Sequence, residues 1–434
     1  MNWKIVIRVQ TALAFATLAL AACGRQAQPV QELEPATLRF GVPFERSHGG
    51  PLLVAAVERF QEENPQVIVE LISPVAVPYY HEVDAWVEAR QLDLLLWGPD
   101  PTLVTGEQPV VLGLEPFISQ AEGFDEEGFL PHLLDAFRWR GELYAIPASA
   151  YVEVMYYNRD LFDAQGVAYP QPGWDWQDFL DAAGQLTTVA GEGEQQTGHW
   201  GFVDHPTQIG FLPFILQHGG TLVDDALRPT RLVLDDPLVA EAIQWYVDLG
   251  LVHKVMPIVE REQVDAHSRT PLDKFALQEA AMVIGEVGSR GGDIIPWDFA
   301  WGAVGLPRDR TSGMVIYARG YYITARTGYP QQAWALVRHL SESEHEVVNG
   351  IPARRSVAES DGFRQRIGPD LADAALSTLD SDARTLVWYW NDAFDDLYRT
   401  LDEQGYWVFR GDDTAEEFMG RLQDSLANWS MEWP

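Results

Sequence analysis

The stretch Gly141–Asn158, GELYAIPASAYVEVMYYN, constrains the fold most, because it holds two apolar runs around a proline. The first run, Leu143–Ile146, ends at Pro147, and the second spans Val152–Tyr157. Proline cannot donate to a sheet ladder, so Pro147 is expected at a strand edge or between two sheets. Two structures fit these residues: a strand that crosses from one lobe to another, or an ordinary hairpin within one domain.

The chain before this stretch alternates strand and helix patterns. Three strands are expected there, with helical spacing between them: Thr37–Val42, Val67–Leu71 and Asp93–Trp97. Such alternation predicts an α/β lobe, in which ligands meet the loops that follow the carboxyl ends of strands. Two loops have that position, Pro43–Gly50 and the turn that holds Trp97 and Asp100. For Trp97, a place in the core at the end of a strand is the alternative.

The rest of the chain keeps a mixed pattern, and helical patterns dominate from Ser381 to the C-terminus. Three elements are predicted most clearly: a helix over Asp175–Leu186 with Asp175 as its N-cap, a strand over Met314–Ile323 broken at Ala318–Gly320, and a helix over Pro330–Leu340. At 434 residues the chain is long for one hydrophobic core, so two domains are expected.

The N-terminus has the features of a secretory signal peptide. Lys4 and Arg8 make it positive, and Thr11–Ala22 is an apolar run without charge. This run is too short and wrongly flanked for a stable transmembrane helix, and it predicts a signal over residues 1–22. The small residues before Cys23 resemble a bacterial lipobox, and that resemblance implies cleavage before Cys23 and a lipid on its sulfur. A plain signal peptide with an incidental cysteine is the alternative.

Cys23 is the only cysteine, so a chain lipidated there would hold no disulfide and no cysteine-based metal site or nucleophile. Residues 23–35 include a polar, proline-containing segment and are predicted as a flexible tether between the lipid and the fold. The protein is then expected to be exported and anchored to the outer face of the cell membrane, or held in the periplasm.

The formal charge of −34 argues against nucleic acid as a partner, because binding to phosphate needs the opposite sign. The acidic residues are dispersed rather than blocked, which is typical of a protein kept soluble outside the cell. No second apolar run of membrane-spanning length follows the N-terminus.

A series of short phrases, in a fixed order over nearly the whole mature chain, resembles the extracellular solute-binding proteins of the maltose-binding type. Each phrase is weak alone, and their order behind a lipobox carries the resemblance. The phrases are Phe60–Val69, Gly141–Pro147, Tyr156–Phe162, Gly173–Phe179, Ala280–Ile284, Gly305–Pro307, Ala333–Leu340 and Gly350–Val357.

Proteins of that family are receptors for ABC-type importers, usually of sugars or related polyols. The resemblance therefore implies a solute receptor without catalysis, cofactor or metal, which hands its solute to membrane permease subunits. It implies a two-lobed, type II periplasmic-binding-protein-like α/β fold, in which each lobe is a mixed sheet flanked by helices and the C-terminus is helical. By resemblance, 36–148 plus 300–345 form lobe one, 149–299 plus 346–434 form lobe two, and the crossings lie at Pro147–Val152 and near Tyr317–Tyr321.

A sugar site needs aromatic rings for the apolar C–H faces and charged groups for the hydroxyls. The residues that we expect to stack on a sugar are Trp97, Tyr151, Trp388 and Trp390. Those expected to form charge-assisted hydrogen bonds are Glu45, Asp100, Glu286 and Arg319. Packing in a helix core is the alternative for Trp388 and Trp390. Residues i and i+2 face differently on a helix, so only one of the two is expected to reach the cleft.

Two other functions are open at this point. An exported glycoside hydrolase would use two carboxylates, with Glu45 and Glu286 as candidates. The chain has neither G-x-S-x-G nor H-E-x-x-H, and its ten histidines lack metal-ligand spacing. A ligand sensor that hands its closed form to a signalling partner would keep the same fold.

Overall fold

The computed structural model describes residues 33–42, 50–73, 82–104, 109–121, 123–130, 132–191, 197–204, 210–258, 270–291, 295–343, 350–380, 384–389 and 391–431. The strands in these ranges are β1 (Ala36–Gly41), β2 (Val67–Ile72), β3 (Leu94–Trp97), β4 (Arg138–Trp139), β5 (Glu142–Leu143), β6 (Ala145–Tyr151), β7 (Glu153–Asn158), β8 (Trp200–Val203), β9 (Ala280–Glu286), β10 (Trp301–Val304), β11 (Gly313–Ile323), β12 (Ile351–Pro352) and β13 (Arg384–Val387).

The α-helices are α1 (Gly50–Glu63), α2 (Val83–Arg90), α3 (Glu115–Ile118), α4 (Arg159–Gln165), α5 (Trp176–Leu186), α6 (Leu212–His218), α7 (Pro237–Leu251), α8 (Pro271–Ala276), α9 (Pro330–Glu342), α10 (Arg355–Ala358), α11 (Asp361–Ile367), α12 (Pro369–Asp380), α13 (Asp392–Arg410) and α14 (Ala415–Ser425).

The first main sheet, called here the large sheet, has the strand order β12-β6-β11-β3-β1-β2, with β13 beside β11. Strand β1 pairs in parallel with β2 and β3, whereas β11 runs antiparallel to β3 and β6. All four residues of β3 are buried, which explains their continuous apolar run, because a strand covered on both faces needs no polar alternation. Helix α9 lies against β6 and β11 and contacts α1.

The second main sheet, called here the small sheet, has the strand order β10-β7-β9-β8. Strand β8 is parallel to β9, and β7 runs antiparallel to both β9 and β10. Helix α5 lies against β8, and α8 lies against β9. At the C-terminus, α13 and α14 pack on each other and on α7. The predicted class, an α/β fold with mixed sheets and a helical C-terminus, is confirmed.

The chain passes from the large sheet to the small sheet at Val152. Among the described residues, β6 pairs only with strands of the large sheet and β7 only with strands of the small sheet, so the hairpin alternative is excluded. The position expected for Pro147, at an edge or between sheets, is wrong, because Pro147 lies inside β6. It lies opposite Gly320 at a register shift, where the ladder is locally broken and the missing N–H costs little.

The chain returns to the large sheet through residues 305–312. Strand β10, from the 300–345 range that the sequence assigns to lobe one, pairs with β7 in the small sheet. Strand β11 then pairs with large-sheet strands from its first residue, Gly313, to its last, Ile323.

Two helices predicted from the sequence are confirmed. The Asp175 side chain accepts hydrogen bonds from backbone N–H groups at the start of α5. The Asp178 carboxylate in turn accepts a hydrogen bond from the backbone N–H of Asp175, which completes a capping box. Helix α9 begins with Pro330 and buries the apolar side chains of Ala333, Leu336 and Val337. Within the described ranges, no helix combines the length and the apolar composition needed to cross a membrane.

Candidate functional site

The two sheets adjoin at the edges where their parallel strands have their carboxyl ends. In the large sheet, β3 and β6 both run antiparallel to β11, so they end at one edge, at Trp97 and Tyr151. In the small sheet, the parallel strands β8 and β9 end together, and β7 begins at that same edge with Glu153. Because Val152 alone separates Tyr151 from Glu153, the two edges adjoin. Loops and side chains at the carboxyl ends of these strands therefore border one cleft.

A row of polar side chains, called here the polar stripe, crosses both sheets at this junction. Its members on β6 and β7 are Ser149, Tyr151 and Glu153, and their cross-strand neighbours are Arg319, Tyr317 and Glu286, in that order. Alternate residues of an extended chain point to one side, so the spacing of two places the first three side chains together. The two residues between them, Ala150 and Val152, are apolar and buried.

Arg319 is the cation of the polar stripe. Its guanidinium carbon lies 5.2 Å from the centroid of the Tyr151 ring, which is a cation–π geometry. The next residue, Gly320, lies opposite Pro147, so β6 holds one residue more than β11 at this point. A bulge bends a strand and changes the direction of a side chain, and this bulge lies directly beside Arg319.

Trp388 extends the aromatic surface of the polar stripe. The helix expected around Trp388 is wrong, because Trp388 follows β13 and precedes α13. Its ring centroid lies 5.9 Å from that of Tyr317 and 4.9 Å from that of Phe394. Its backbone N–H donates to the carbonyl of Ile316 at 3.0 Å, which fixes it beside β11. Trp388 is 6 % exposed, so it belongs to the core as well as to the aromatic surface.

Trp97 and Asp100 lie buried at the end of β3. The Trp97 side chain is fully buried, which is the core position considered as the alternative to ligand contact. The Asp100 carboxyl accepts hydrogen bonds from the Thr102 backbone and hydroxyl at 2.9 and 2.6 Å. Burial raises the pKa of Asp100 to about 7 although the Thr102 bonds oppose this, and nearby Asp392 adds to the rise. Asp100 can therefore take either protonation state near neutral pH.

Three carboxyl groups, called here the acidic edge, gather where the small-sheet strands meet the junction: Glu153, Asp204 and Glu286. Glu153 begins β7, Glu286 ends β9, and Asp204 directly follows β8. Burial, followed by the charges of Asp204 and Glu286, raises the pKa of Glu153 to about 8. The Tyr246 hydroxyl donates to Asp204 at 2.7 Å and orients that carboxyl.

The structure thus brings most of the described candidates to one place. Tyr151, Arg319, Trp388 and Glu286 lie at the junction of the two sheets, and Trp97 pairs with Gly320 beside them. Glu45, Trp390 and Cys23 lie outside the described residues. Contact between a solute and any of these side chains stays a prediction.

Sequence reasoning missed two acids of this region, Glu153 and Asp204, whereas Ser149 and Tyr317 lie in the segments that it assigned to the crossings between the lobes. Two signals could have found the acids. Glu153 is the one acidic residue within the apolar run Val152–Tyr157, and Asp204 directly follows the short stretch Trp200–Val203, at the position where ligands meet α/β sheets. No group of His, Cys, Asp and Glu suited to a metal ion occurs in the part of the chain that the structure describes.

Two surface cavities lie away from the junction. One, of about 600 Å³, is bounded by residues 170–172, β10 and α12. The other, of about 580 Å³, lies between residues 166–174 and α5. None of the predicted site residues lines either cavity, so they are not part of the candidate site.

The fold and the site can be compared with known proteins. A family model described as bacterial extracellular solute-binding protein matches residues 55–368. The ABC substrate-binding protein Lmo0181 from Listeria monocytogenes, solved with cycloalternan, is 20% identical, with a TM-score of 0.73 over 91% of this chain and 99% of that one.

Two further solved structures are similar over the same length. Maltose-bound MalE3 from T. maritima is 17% identical, with a TM-score of 0.67 over 91% of this chain and 99% of that one. UgpB from Mycobacterium tuberculosis, in complex with glycerophosphocholine, is 18% identical, with a TM-score of 0.69 over 91% of this chain and 99% of that one. At these identities the similarity shows a shared two-lobed fold, which confirms the predicted architecture.

Proposed function

The chain belongs to the bacterial extracellular solute-binding proteins, and from this premise we propose that it is the substrate-binding receptor of an ABC importer. Its solute is a sugar or a related polyol, captured between the large and small sheets. The observation that carries this proposal is the polar stripe, where aromatic rings and charged groups meet at the adjoining edges of two sheets.

The chemistry of the stripe suits a polyhydroxylated solute. The rings of Tyr151 and Trp388 offer surfaces for the apolar C–H faces of a sugar. Asp100, Arg319 and Glu286 offer charge-assisted hydrogen bonds to its hydroxyls. Micromolar binding requires about −8 kcal/mol, which a few stacked rings and several satisfied hydrogen bonds supply in a closed site.

Structural relatives support this class of solute. The relatives described above were solved with cycloalternan, maltose and glycerophosphocholine. Two of these solutes are carbohydrates and the third contains a glycerol unit, so the shared fold accommodates polyol-containing ligands. The family consists of receptors, so the hydrolase hypothesis is not carried forward.

Closure of the two lobes would complete the site. In this proposal, lobe one is built on the large sheet and lobe two on the small sheet. Val152 and residues 305–312 are the connections around which they rotate. A solute that contacts both sheets binds the closed form better than the open form and therefore shifts the population toward closure.

We further propose that the protein is held at the membrane through a lipid on Cys23, with residues 23–35 as the tether. Membership of an extracellular family supports export, and the apolar run before Cys23 supports lipid attachment. Replacement of Cys23 by Ala should move the protein from the membrane fraction to the soluble fraction. An unchanged distribution would reject the lipid anchor.

Calorimetric titration of the purified protein with a panel of mono- and oligosaccharides and polyols tests the proposed function. We expect at least one member to bind with micromolar Kd and to raise the Tm, because a ligand that binds only the folded state stabilises it. Tyr151→Ala should weaken binding about tenfold or more. The control Tyr329→Ala removes an exposed tyrosine before α9 and should leave binding unchanged. A folded protein that binds no member of the panel contradicts the proposal.

A further inference from the structure

The hydroxyl group of Ser149 is buried in the polar stripe without a hydrogen-bond partner. Ser149 lies inside β6 and is 1 % exposed, and none of the residues that the structure describes donates to its Oγ or accepts from it. Most buried hydroxyls in folded proteins are paired, because a polar group removed from water loses hydrogen bonds that must be replaced. An unpaired hydroxyl costs the folded protein stability, so its presence here calls for a reason other than folding.

The residues beside Ser149 on the β12 side do not supply the missing partner. Its cross-strand neighbour on β12 is Pro352, which has no backbone N–H to donate. Gly350, just before β12, has no side chain, and a Cβ atom there would lie 3.2 Å from the Oγ of Ser149 and 3.0 Å from its Cβ. A larger residue at position 350 would therefore crowd the hydroxyl. Glycine and proline at these two positions leave the hydroxyl without a bond to β12.

The hydroxyl lies on the side of β6 that carries the polar stripe. Ser149 and Tyr151 are two residues apart in an extended strand, so their side chains point to the same side and start about 7 Å from each other. Their cross-strand neighbours on β11 are Arg319 and Tyr317. The hydroxyl is thus the next polar group along β6 from the Tyr151 ring. A solute that stacks on this ring has its polar edge beside Ser149.

The burial of this hydroxyl agrees with a site that two lobes enclose. Tyr151 and Trp388, which form the proposed stacking surface, are buried as Ser149 is. When the proposed receptor opens, the junction of the two sheets becomes accessible to a solute. Closure around the solute then brings solute atoms against the hydroxyl and shields both from water. The solute thereby supplies the hydrogen bond that the fold does not.

A hydroxyl group of the solute is the partner that fits Ser149. The serine hydroxyl donates one hydrogen bond and can accept others, and each hydroxyl of a sugar does the same, so either group can serve as the donor. A neutral group also suits a chain with a formal charge of −34, which opposes the approach of an anion. Resting on the proposed function, we infer that Ser149 is a specificity-determining residue that hydrogen-bonds a hydroxyl group of the solute beside Tyr151.

Calorimetric titration of Ser149→Ala with the saccharide and polyol panel tests this inference. The panel includes D-glucose, D-galactose, D-mannose, sorbitol, maltose, cellobiose and trehalose. For the member that binds most tightly, the substitution should raise the Kd by about three- to tenfold, as expected for the loss of one neutral hydrogen bond. One monodeoxy form of that member should bind the unsubstituted protein more weakly than its parent by about the same factor. The Ser149→Ala protein should bind this form and the parent within about twofold of each other.

The Tm of the protein without solute separates a binding role of Ser149 from a structural one. Because its Oγ makes no hydrogen bond within the described part of the fold, Ser149→Ala should leave this Tm unchanged or raise it. The control Thr324→Val removes another buried hydroxyl, which donates to the carbonyl of Leu92 at 2.6 Å just beyond the C-terminal end of β11. This control should lower the Tm, because it leaves a buried carbonyl with one bond fewer, and it should leave the Kd unchanged.

The outcomes separate this inference from the function on which it rests. If a panel member binds and Ser149→Ala leaves its Kd unchanged, the hydroxyl does not contact the solute, so the inference is wrong and the sugar receptor stands. The same conclusion follows if Ser149→Ala lowers the Tm as much as Thr324→Val does, or if every monodeoxy form keeps its full loss of affinity in Ser149→Ala. If a folded protein binds no member of the panel, both fail together.

Discussion

The guanidinium group of Arg319 lies over the ring of Tyr151, with 5.2 Å between the guanidinium carbon and the ring centroid. The two residues come from β11 and β6, which are far apart in sequence and paired in the large sheet. Each side chain restricts the rotamers of the other, so the ring and the cation are held in place before a solute arrives. Such preorganisation lowers the entropy that binding must overcome.

A double-mutant cycle with Arg319→Ala and Tyr151→Leu should give a coupling free energy of about 0.5–1 kcal/mol, as expected for a partly exposed cation–π pair. The free energies of unfolding can be measured by urea denaturation. A control cycle with Arg319→Ala and Tyr329→Leu joins two residues that share no contact and should give a coupling near zero. Equal coupling in both cycles would show that the Arg319–Tyr151 contact is not stabilising.

Gly320→Ala should destabilise the fold by about 1–3 kcal/mol, because the core at the bulge has no room for a methyl group. A Cβ atom on Gly320 would lie 2.9 Å from the Ala145 Cβ and from the Phe137 ring. The control Gly328→Ala places its Cβ in open space and should change the free energy of unfolding by less than about 0.5 kcal/mol. Equal effects of the two substitutions would mean that the bulge can relax around a side chain.

The free energy of unfolding should fall as the pH rises from about 4.5 to about 8. The pKa values of Asp100 and Glu153 are raised from their ordinary values of 3.8 and 4.5 to about 7 and about 8. The folded state therefore keeps protons that the unfolded chain has already released in this range. The stabilisation from these two carboxyl groups is complete at a pH below their pKa values in the unfolded chain. It is lost as the pH rises through their pKa values in the folded protein.

Urea denaturation at several pH values between 5 and 9 measures this dependence. A single group contributes at most about 1.4 kcal/mol per pH unit. Glu153→Gln should flatten the curve between about pH 6 and pH 8, whereas the exposed control Glu62→Gln should keep its slope. A Glu153→Gln curve parallel to that of the unsubstituted protein would show that Glu153 does not titrate in this window.

Elements that depend on local signals could be predicted from the sequence. The N-cap at Asp175 and the apolar spacing of Ala333, Leu336 and Val337 involve residues within one helix, so each helix was predictable. The apolar run at the end of β3 likewise indicated a buried strand. These patterns record which face of an element is covered, without regard to what covers it.

The features that define the site depend on pairing between distant segments. The predicted break at Ala318–Gly320 does not interrupt β11, which is continuous there, and the irregularity is a bulge in its partner β6, which supplies one more residue. Strand β13 lies in a segment with helical patterns and is extended because it pairs with Gly313–Ile316. The opposition of Glu153 and Glu286 is likewise a matter of register, which no local period reveals.

Trp388 is both a core residue and a proposed stacking surface, and the two roles can be separated. Its ring contacts Phe394 of α13 on one part and Tyr317 of the polar stripe on another. Trp388→Phe keeps an aromatic ring in the core and shortens the surface beside Tyr317. We expect the substitution to lower the free energy of unfolding by less than the roughly 3–5 kcal/mol that Trp→Ala typically costs in a core. It should also weaken solute binding about three- to tenfold.

Trp334→Phe is the matched control for this prediction, because Trp334 is 7 % exposed against 6 % for Trp388 and packs on Phe117 and Phe124 away from the stripe. Its substitution should lower the free energy of unfolding by a similar amount and leave the Kd unchanged. Calorimetric titration with the best saccharide, together with urea denaturation of both variants, gives the two quantities for each site. If the Kd is unchanged in Trp388→Phe as well, Trp388 acts only in the core, and the aromatic surface of the stripe ends at Tyr317.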